Sequence, residues 1–169
     1  MTLVFYVAGA VAIVSTILML TNLNAVHALL YLIVSLLAVS VAFYTLGAPF
    51  VAALEVIVYA GAIMVLFVFV VMLLNLGGEA AREERALLAP SMWIGPSILA
   101  AILAAEFLYL LAKSGASSAG RTMTGPAEVA TSLFGPYLIG VELASMLLLG
   151  GLVGAYHLGW RRAPGAEVR

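Results

Sequence analysis

Residues 50–74 read FVAALEVIVYAGAIMVLFVFVVMLL, an apolar run that contains a single charged side chain, Glu55. An α-helix needs about 20 apolar residues to cross the hydrocarbon core of a bilayer, and this run is longer than that. Because lipid offers no hydrogen bonds to a bare backbone, a segment of this kind is expected to be helical. The alternating polarity of a β-barrel strand is absent from it.

The rest of the chain has the same character. Of its 169 residues, 65% are hydrophobic and 9% are charged, whereas a soluble domain is about a quarter charged. This excludes an ordinary soluble enzyme and a disordered chain. Seven basic residues against eight acidic ones leave no excess of positive charge of the kind that binds nucleic acid. The chain has no cysteine, which excludes disulfides, thiolate iron–sulfur ligation and cysteine-based zinc sites within it.

We therefore predict an all-α integral membrane protein that forms a single membrane domain over residues 1–169. Its five transmembrane helices are expected at residues 2–20, 28–46, 50–74, 92–112 and 137–158. An odd number of spans places the two termini on opposite sides, and the side of the C-terminus collects five of the seven basic residues. The positive-inside rule then predicts an outer N-terminus and a cytoplasmic C-terminus. The five residues are Arg82, Arg85, Arg161, Arg162 and Arg169.

Three glutamates fall inside the predicted spans: Glu55, Glu106 and Glu142. An acid at the centre of a bilayer costs about 2.5–3.5 kcal/mol, so each one calls for an explanation. At about 1.5 Å of rise per residue, all three lie about 8–10 Å from the outer ends of their spans. One interpretation is a shallow acid that stays protonated or meets a partner, and the other is proton relay. The pattern favours relay for Glu55 and Glu142, whereas both interpretations stay open for Glu106.

The third span combines polar groups with a glycine. Four positions at α-helical spacing share one face: Glu55, Tyr59, Ala62 and Leu66. The outer half of this face carries a carboxyl and a phenol, and the inner half has no polar side chain before Asn75. Gly61 lies at the boundary, where kinks and π-bulges are favoured. Two interpretations remain open: a helix that twists at Gly61 and opens a water path, or small residues that let a neighbouring helix approach.

Several segments resemble the subunit J family of bacterial NADH:quinone oxidoreductase, respiratory complex I. The stretch LEVIVYAGAIMVLFVFV at residues 54–70 is highly specific for the third helix of that family. Four further matches extend the resemblance over most of the chain: NAVHALLYL at 24–32, WIGP at 93–96, LFGPY at 133–137 and VELASMLLL at 141–149.

The resemblance implies a multi-pass subunit in the membrane arm of a proton-pumping enzyme of the bacterial cytoplasmic (inner) membrane. Its implied partners are the quinone-site subunit, a small three-helix subunit, the antiporter-like subunits and the surrounding lipid bilayer. The flavin, the iron–sulfur clusters and the quinone would be held by the rest of the complex. No catalytic residue, cofactor site or metal site is expected in this chain.

The resemblance also implies a gating role for the third helix. In this family that helix carries a π-bulge, expected here near Tyr59-Gly61, and rotates to connect or break a hydrated proton path. The residues carried over to this path and its gate are Glu55, Tyr59, Gly61, Val65, Phe67 and Glu142.

Two residues depart from the family pattern. Ala25 stands where relatives often have proline, and Glu106 has no counterpart, so no role is carried over to it. Two other functions remain open from the residues alone. The chain could be a scaffold that fills space between larger subunits, or a free-standing small ion channel or exchanger.

Overall fold

The computed structural model of the chain describes residues 1–74, 90–114 and 123–159. The arginines that carry the predicted orientation lie outside these ranges, so the sidedness of the two termini stays a prediction. Within the described ranges the regular structure is entirely helical. The helices are α1 (Thr2–Thr21), α2 (Ala25–Thr45), α3 (Pro49–Leu54), a π-helix (Glu55–Ile63), α4 (Met64–Leu74), α5 (Pro90–Ser114), α6 (Pro126–Leu133) and α7 (Leu138–Gly159).

In the described part of the chain, five helices are long and apolar enough to cross a membrane, as predicted. The third of them is continuous through α3, the π-helix and α4, and we call this unit the third span. The five segments are Thr2–Thr21, Ala25–Thr45, Pro49–Val71, Trp93–Ala112 and Leu138–Gly159.

The turn between α1 and α2 is built by two asparagines. The Oδ1 atom of Asn24 accepts hydrogen bonds from the N–H groups of Val26 and His27, at 3.0 and 3.1 Å. This satisfies two of the backbone donors that the first turn of a helix leaves free. Asn22 Oδ1 accepts in turn from the Asn24 N–H at 3.1 Å. The cap at Asn24 starts α2 at Ala25, three residues before the predicted start of the second span at residue 28.

The turn between α2 and α3 depends on Gly47, which has a φ of 87°. Ala48 donates its N–H to the carbonyl of Phe43, and Gly47 donates to that of Tyr44, both at 3.1 Å. This is the Schellman arrangement, in which a glycine in the left-handed region ends a helix. Pro49 then occupies the first position of α3, where its missing N–H costs nothing.

The chain divides into two compact units, Met1–Gly125 and Pro126–Arg169. In the first unit α2 is central, because it packs against α1, all three parts of the third span, and α5. The single membrane domain expected over residues 1–169 stays a prediction. The core of the first unit is a cluster of four buried side chains: Val11, Val34, Ala38 and Leu103.

Close helix packing in the first unit uses small residues and hydroxyls. The Oγ1 atom of Thr16 on α1 lies 2.8 Å from the Oγ of Ser35 on α2, which links the two helices by a hydrogen bond. A Cβ at Gly95 would overlap the hydroxyl of Tyr31, so α5 approaches α2 closely only because position 95 has no side chain. Small residues and interhelical hydroxyl bonds are the usual basis of helix association in lipid.

The second unit consists of α6 and α7 as far as it is described. The short helix α6 was not predicted, although its start has the expected chemistry. Pro126 stands at its first position and Glu128 lies in its first turn, where an acid complements the helix dipole. Most side chains of α7 are exposed, including a run of leucines at residues 147–149. An apolar surface of this kind is suited to contact with lipid or with other membrane helices.

Candidate functional site

The third span leaves the α-helical pattern over the nine residues Glu55–Ile63, which adopt a π-helix. At its end the N–H of Met64 is directed at the carbonyls of Gly61 and Tyr59. Tyr59 is five residues back, which is the hydrogen-bond spacing of a π-helix, whereas an α-helix uses four. Such segments are rare and occur frequently at functional sites. The irregularity predicted near Tyr59-Gly61 falls inside this segment.

Gly61 leaves little room for a side chain in the π-helix. A Cβ built on Gly61 would lie 3.1 Å from the carbonyl oxygen of Val56, which is closer than an ordinary van der Waals contact. Val56 lies five residues before Gly61, so this oxygen belongs to the partner residue of Gly61 in the π register. A larger residue at this position would therefore press on the hydrogen-bond ladder that defines the segment.

Contacts with α2 hold the third span on both sides of the π-helix. Before it, Ser40 Oγ on α2 donates a hydrogen bond of 2.8 Å to the carbonyl of Ala52, and both residues are buried. Directly after it, Met64 is only 1% exposed. Between these two points no residue of Glu55–Ile63 is buried. The segment is thus anchored at each end and loosely packed in the middle.

The sequence did not single out Ser40, Ala52 or Met64. A serine within an otherwise apolar helix is a usable signal for Ser40, because buried hydroxyls in membrane helices seek an acceptor on a neighbour. Nothing in the sequence distinguishes Met64 from the apolar residues around it. Its burial depends on the side of the third span that faces α2.

The predicted residues of the third span differ in how far they are covered. Glu55 and Gly61 are partly buried, and Tyr59 is 49% exposed. On α4, Val65 is 66% exposed and Phe67 is exposed as well. The predicted common face through residues 55, 59, 62 and 66 assumed α-helical spacing, which does not apply across the π-helix. The five predicted residues nevertheless belong to one continuous helix, within and directly after the π segment.

The sixth predicted residue, Glu142, lies on α7 in the second unit and is exposed there. Among the described residues, no cluster of three histidine or acidic side chains is arranged to hold a metal ion. The expectation that the chain carries no cofactor of its own stays a prediction.

Five long apolar helices with an apolar exterior define a multi-pass integral membrane protein. Residues 15–158 match the model of the family described as NADH-ubiquinone/plastoquinone oxidoreductase chain 6. The chain is 58% identical over 160 residues to NADH-quinone oxidoreductase subunit J of Pseudomonas aeruginosa, covering 94% of this chain and 96% of the relative. Identity to the subunit J of Escherichia coli is 54% over 159 residues, with 94% and 86% covered. The chain belongs to the subunit J family of NADH-quinone oxidoreductase.

A more distant relative gives the same result. Subunit J of Buchnera aphidicola subsp. Schizaphis graminum is 47% identical over 159 residues, which cover 94% of this chain and 98% of the relative. The likeness therefore extends along nearly the whole of both chains. It confirms the family that the segments at 54–70 and 141–149 indicated.

Proposed function

We propose that this chain is a membrane-arm subunit of a proton-translocating NADH:quinone oxidoreductase in the bacterial inner membrane. It has no redox centre of its own, and its third span gates a hydrated proton path. Membership of the subunit J family and the five apolar helices support the first part. The observation that carries the gating role is a π-helix that contains a carboxyl, a phenol and a glycine: Glu55, Tyr59 and Gly61.

A π-helix can convert into an α-helix without unfolding, because only the hydrogen-bond spacing changes from five residues to four. Each residue of an α-helix turns the chain by about 100°, since 3.6 residues complete a turn. If the π-helix became α-helical by a shift of one residue in its hydrogen-bond spacing, α4 would therefore rotate by about that angle relative to α3. The contacts of α3 with α2, through Ser40, would hold the outer part still during this rotation.

Proton transfer along such a path needs a continuous chain of hydrogen-bonding groups or water. Glu55 and Tyr59 supply these groups in the π-helix, whereas the α4 sequence MVLFVFVVMLL has none. In the closed arrangement the apolar side chains of α4, Val65 and Phe67 among them, would keep water from continuing inward. Rotation of α4 would move these two side chains away and let water continue inward from Tyr59. Glu142, on α7, is proposed as a further carboxyl of the same path.

The partners proposed for this subunit are the quinone-site subunit, the small three-helix subunit and the antiporter-like subunits of the membrane arm. The exposed apolar surfaces of α4 and α7 support contacts of this kind. Flavin, iron–sulfur clusters and quinone would be bound by other subunits. Purification of the tagged chain in mild detergent tests this assembly. Co-purification of many subunits with NADH dehydrogenase activity is expected, whereas a lone or self-paired chain would contradict it.

Tyr59→Phe tests the gating role, because it removes the hydroxyl and keeps the ring. A net hydrogen bond is worth about 1 kcal/mol, so we expect proton pumping per NADH oxidised to fall by about fivefold at most. Tyr6→Phe is the matched control, since Tyr6 is an exposed tyrosine on the regular helix α1. Normal coupling in a fully assembled Tyr59→Phe complex would remove Tyr59 from the proton path and favour a purely structural role.

A further inference from the structure

Glu106 is an acid on the packed face of α5. That face is defined by Leu99, Leu103, Glu106 and Leu110, which recur at intervals of three and four residues. Leu103 is 5% exposed and Leu110 is 1% exposed, so Glu106 lies between the two most deeply buried leucines of the helix. Leu99 and Leu103 pack into the core formed with α1 and α2. The acid thus occupies a position where the pattern of the helix calls for an apolar residue.

The carboxyl group of Glu106 is covered by the chain itself. Both of its oxygen atoms are buried, although the residue as a whole is only partly buried, and neither oxygen has a hydrogen-bond partner among the described residues. A negatively charged carboxylate in such surroundings is very unfavourable unless a cation or several N–H donors compensate the charge. A carboxylic acid that keeps its proton avoids this cost, and buried acids without partners usually do so.

Within the described ranges, the helices packed around α5 supply no compensating group to these oxygens. Lys113 lies seven residues further along α5, about 10 Å away along the axis, and its side chain lies outside the described residues. The described titratable groups on α1, α2, α5 and the third span are the amino terminus, Tyr6, His27, Tyr31, Tyr44, Tyr109, Glu55 and Tyr59. None of them is hydrogen-bonded to the Glu106 carboxyl.

We propose that Glu106 is a proton-binding site, a carboxylic acid that holds its proton at the contact of α5 with α1 and α2. Release of this proton would leave an unpaired carboxylate between packed helices, so it requires water to enter beside α5. The site is separate from the third span, and the proposal does not depend on the gating role.

A protonated carboxyl inside a membrane is a target for a hydrophobic carbodiimide. The acid adds across one C=N bond: its oxygen bonds to the central carbon, and its proton moves to a nitrogen. The resulting O-acylisourea rearranges by transfer of the acyl group from oxygen to nitrogen, which gives a stable N-acylurea and consumes nothing else. A carboxylate without the proton does not start this reaction. Phe107, beside Glu106, is exposed, so a lipid-dissolved reagent can approach the site.

The experiment treats membranes that contain the assembled complex with dicyclohexylcarbodiimide and analyses peptides of this chain by mass spectrometry. We expect an N-acylurea on Glu106 at neutral pH, to the same extent as at acidic pH, and none in Glu106→Gln. Lys113→Gln should leave the labelling unchanged, because the acid does not depend on an ion pair. Labelling only at acidic pH, or labelling only in Lys113→Gln, would overturn the proposal.

Assembly provides a second measurement that does not depend on access of the reagent. Glutamine is the neutral counterpart of a protonated glutamate, so Glu106→Gln should assemble into the complex at the wild-type level on blue-native gels. If the site needs a negative charge, Glu106→Gln will lose assembly and Glu106→Asp will keep it. That result would also overturn the proposal, and it would leave the role of the third span untouched.

Discussion

Replacement of Gly61 by alanine is the smallest change that should alter the third span. Alanine is the better helix former by about 1 kcal/mol in a helix interior, which by itself would stabilise the span. The new Cβ, however, would lie 3.1 Å from the Val56 carbonyl oxygen, which must then move by a few tenths of an ångström. That oxygen is part of the helix backbone, so its displacement strains the hydrogen-bond ladder of the π-helix. The steric effect favours the α-helical form of the segment over the π form, whereas the propensity term stabilises either helical form.

The size of the effect follows from the steric cost of the new Cβ, for which overpacking gives about 1–3 kcal/mol. A shift of about 1 kcal/mol, the lower end of this range, changes the ratio of the two forms by about fivefold. If pumping requires the span to pass through both forms, the rate of coupled turnover should fall by up to about the same factor. Gly61→Leu adds a branched side chain at the same place and should lower coupled turnover further. The matched control is Gly9→Ala on the regular helix α1, where a Cβ meets no atom within 4 Å.

The assay compares proton uptake by inverted membrane vesicles with the NADH:quinone reductase rate of the same preparation, after blue-native gels show equal assembly. Hydrogen exchange provides an independent readout, because amides of Glu55–Ile63 should exchange more slowly when the α form is favoured. The reasoning would be refuted if both Gly61 variants assembled, pumped normally and showed unchanged exchange. An equal loss in Gly9→Ala would mean that the effect reflects general helix stiffening and has no relation to the π-helix.

Two further predictions concern the packing that holds the third span in place. Gly95→Ala should lower the stability of the complex by the 1–3 kcal/mol typical of overpacking, because its Cβ would overlap the Tyr31 hydroxyl. Removal of that hydroxyl in the double variant with Tyr31→Phe should recover part of the lost thermal stability. If the two substitutions instead had additive effects, the contact between positions 95 and 31 would be contradicted. Ser40→Ala removes a hydrogen bond to the Ala52 carbonyl, worth about 0.6 kcal/mol on average in membranes. Exchange of third-span amides should then rise by about threefold, and a Ser35→Ala control should leave it unchanged.

The spans could be predicted from sequence because the bilayer imposes a single strong condition on their composition and length. Their ends were less certain, since they depend on local hydrogen bonds. α2 begins three residues before its predicted start because Asn24 caps it. The C-terminal end of α2 was easier to predict from the sequence. Gly47 is followed by Ala48 and Pro49, which is typical of a helix that ends with a residue in the left-handed region. The short helix α6 was missed because its length is far below that of a membrane span.

Some residues of the candidate site could likewise be predicted from the local sequence, whereas others depend on tertiary packing. Glu55, Tyr59 and Gly61 could be found from sequence, since an acid and a glycine stand out in an apolar helix. Ser40 and Met64 could not be assigned a role, because their contacts depend on which helix lies beside the third span and in which rotation. That choice is made by tertiary packing, in which α2 takes the central position of the first unit.

Glu55 and Glu106 have similar sequence contexts, but the structure places them in different surroundings. Glu55 and Glu106 were predicted at a similar depth from the outer side. Glu55 lies in a π-helix that is only partly covered, whereas the carboxyl oxygens of Glu106 are enclosed by packed helices. Groups outside the chain, such as water in a path between subunits, can meet a partly covered acid without any rearrangement of the helices, but they meet an enclosed acid only when the helices separate. Fast proton exchange therefore suits Glu55, and slow exchange that depends on the packing of α5 suits Glu106.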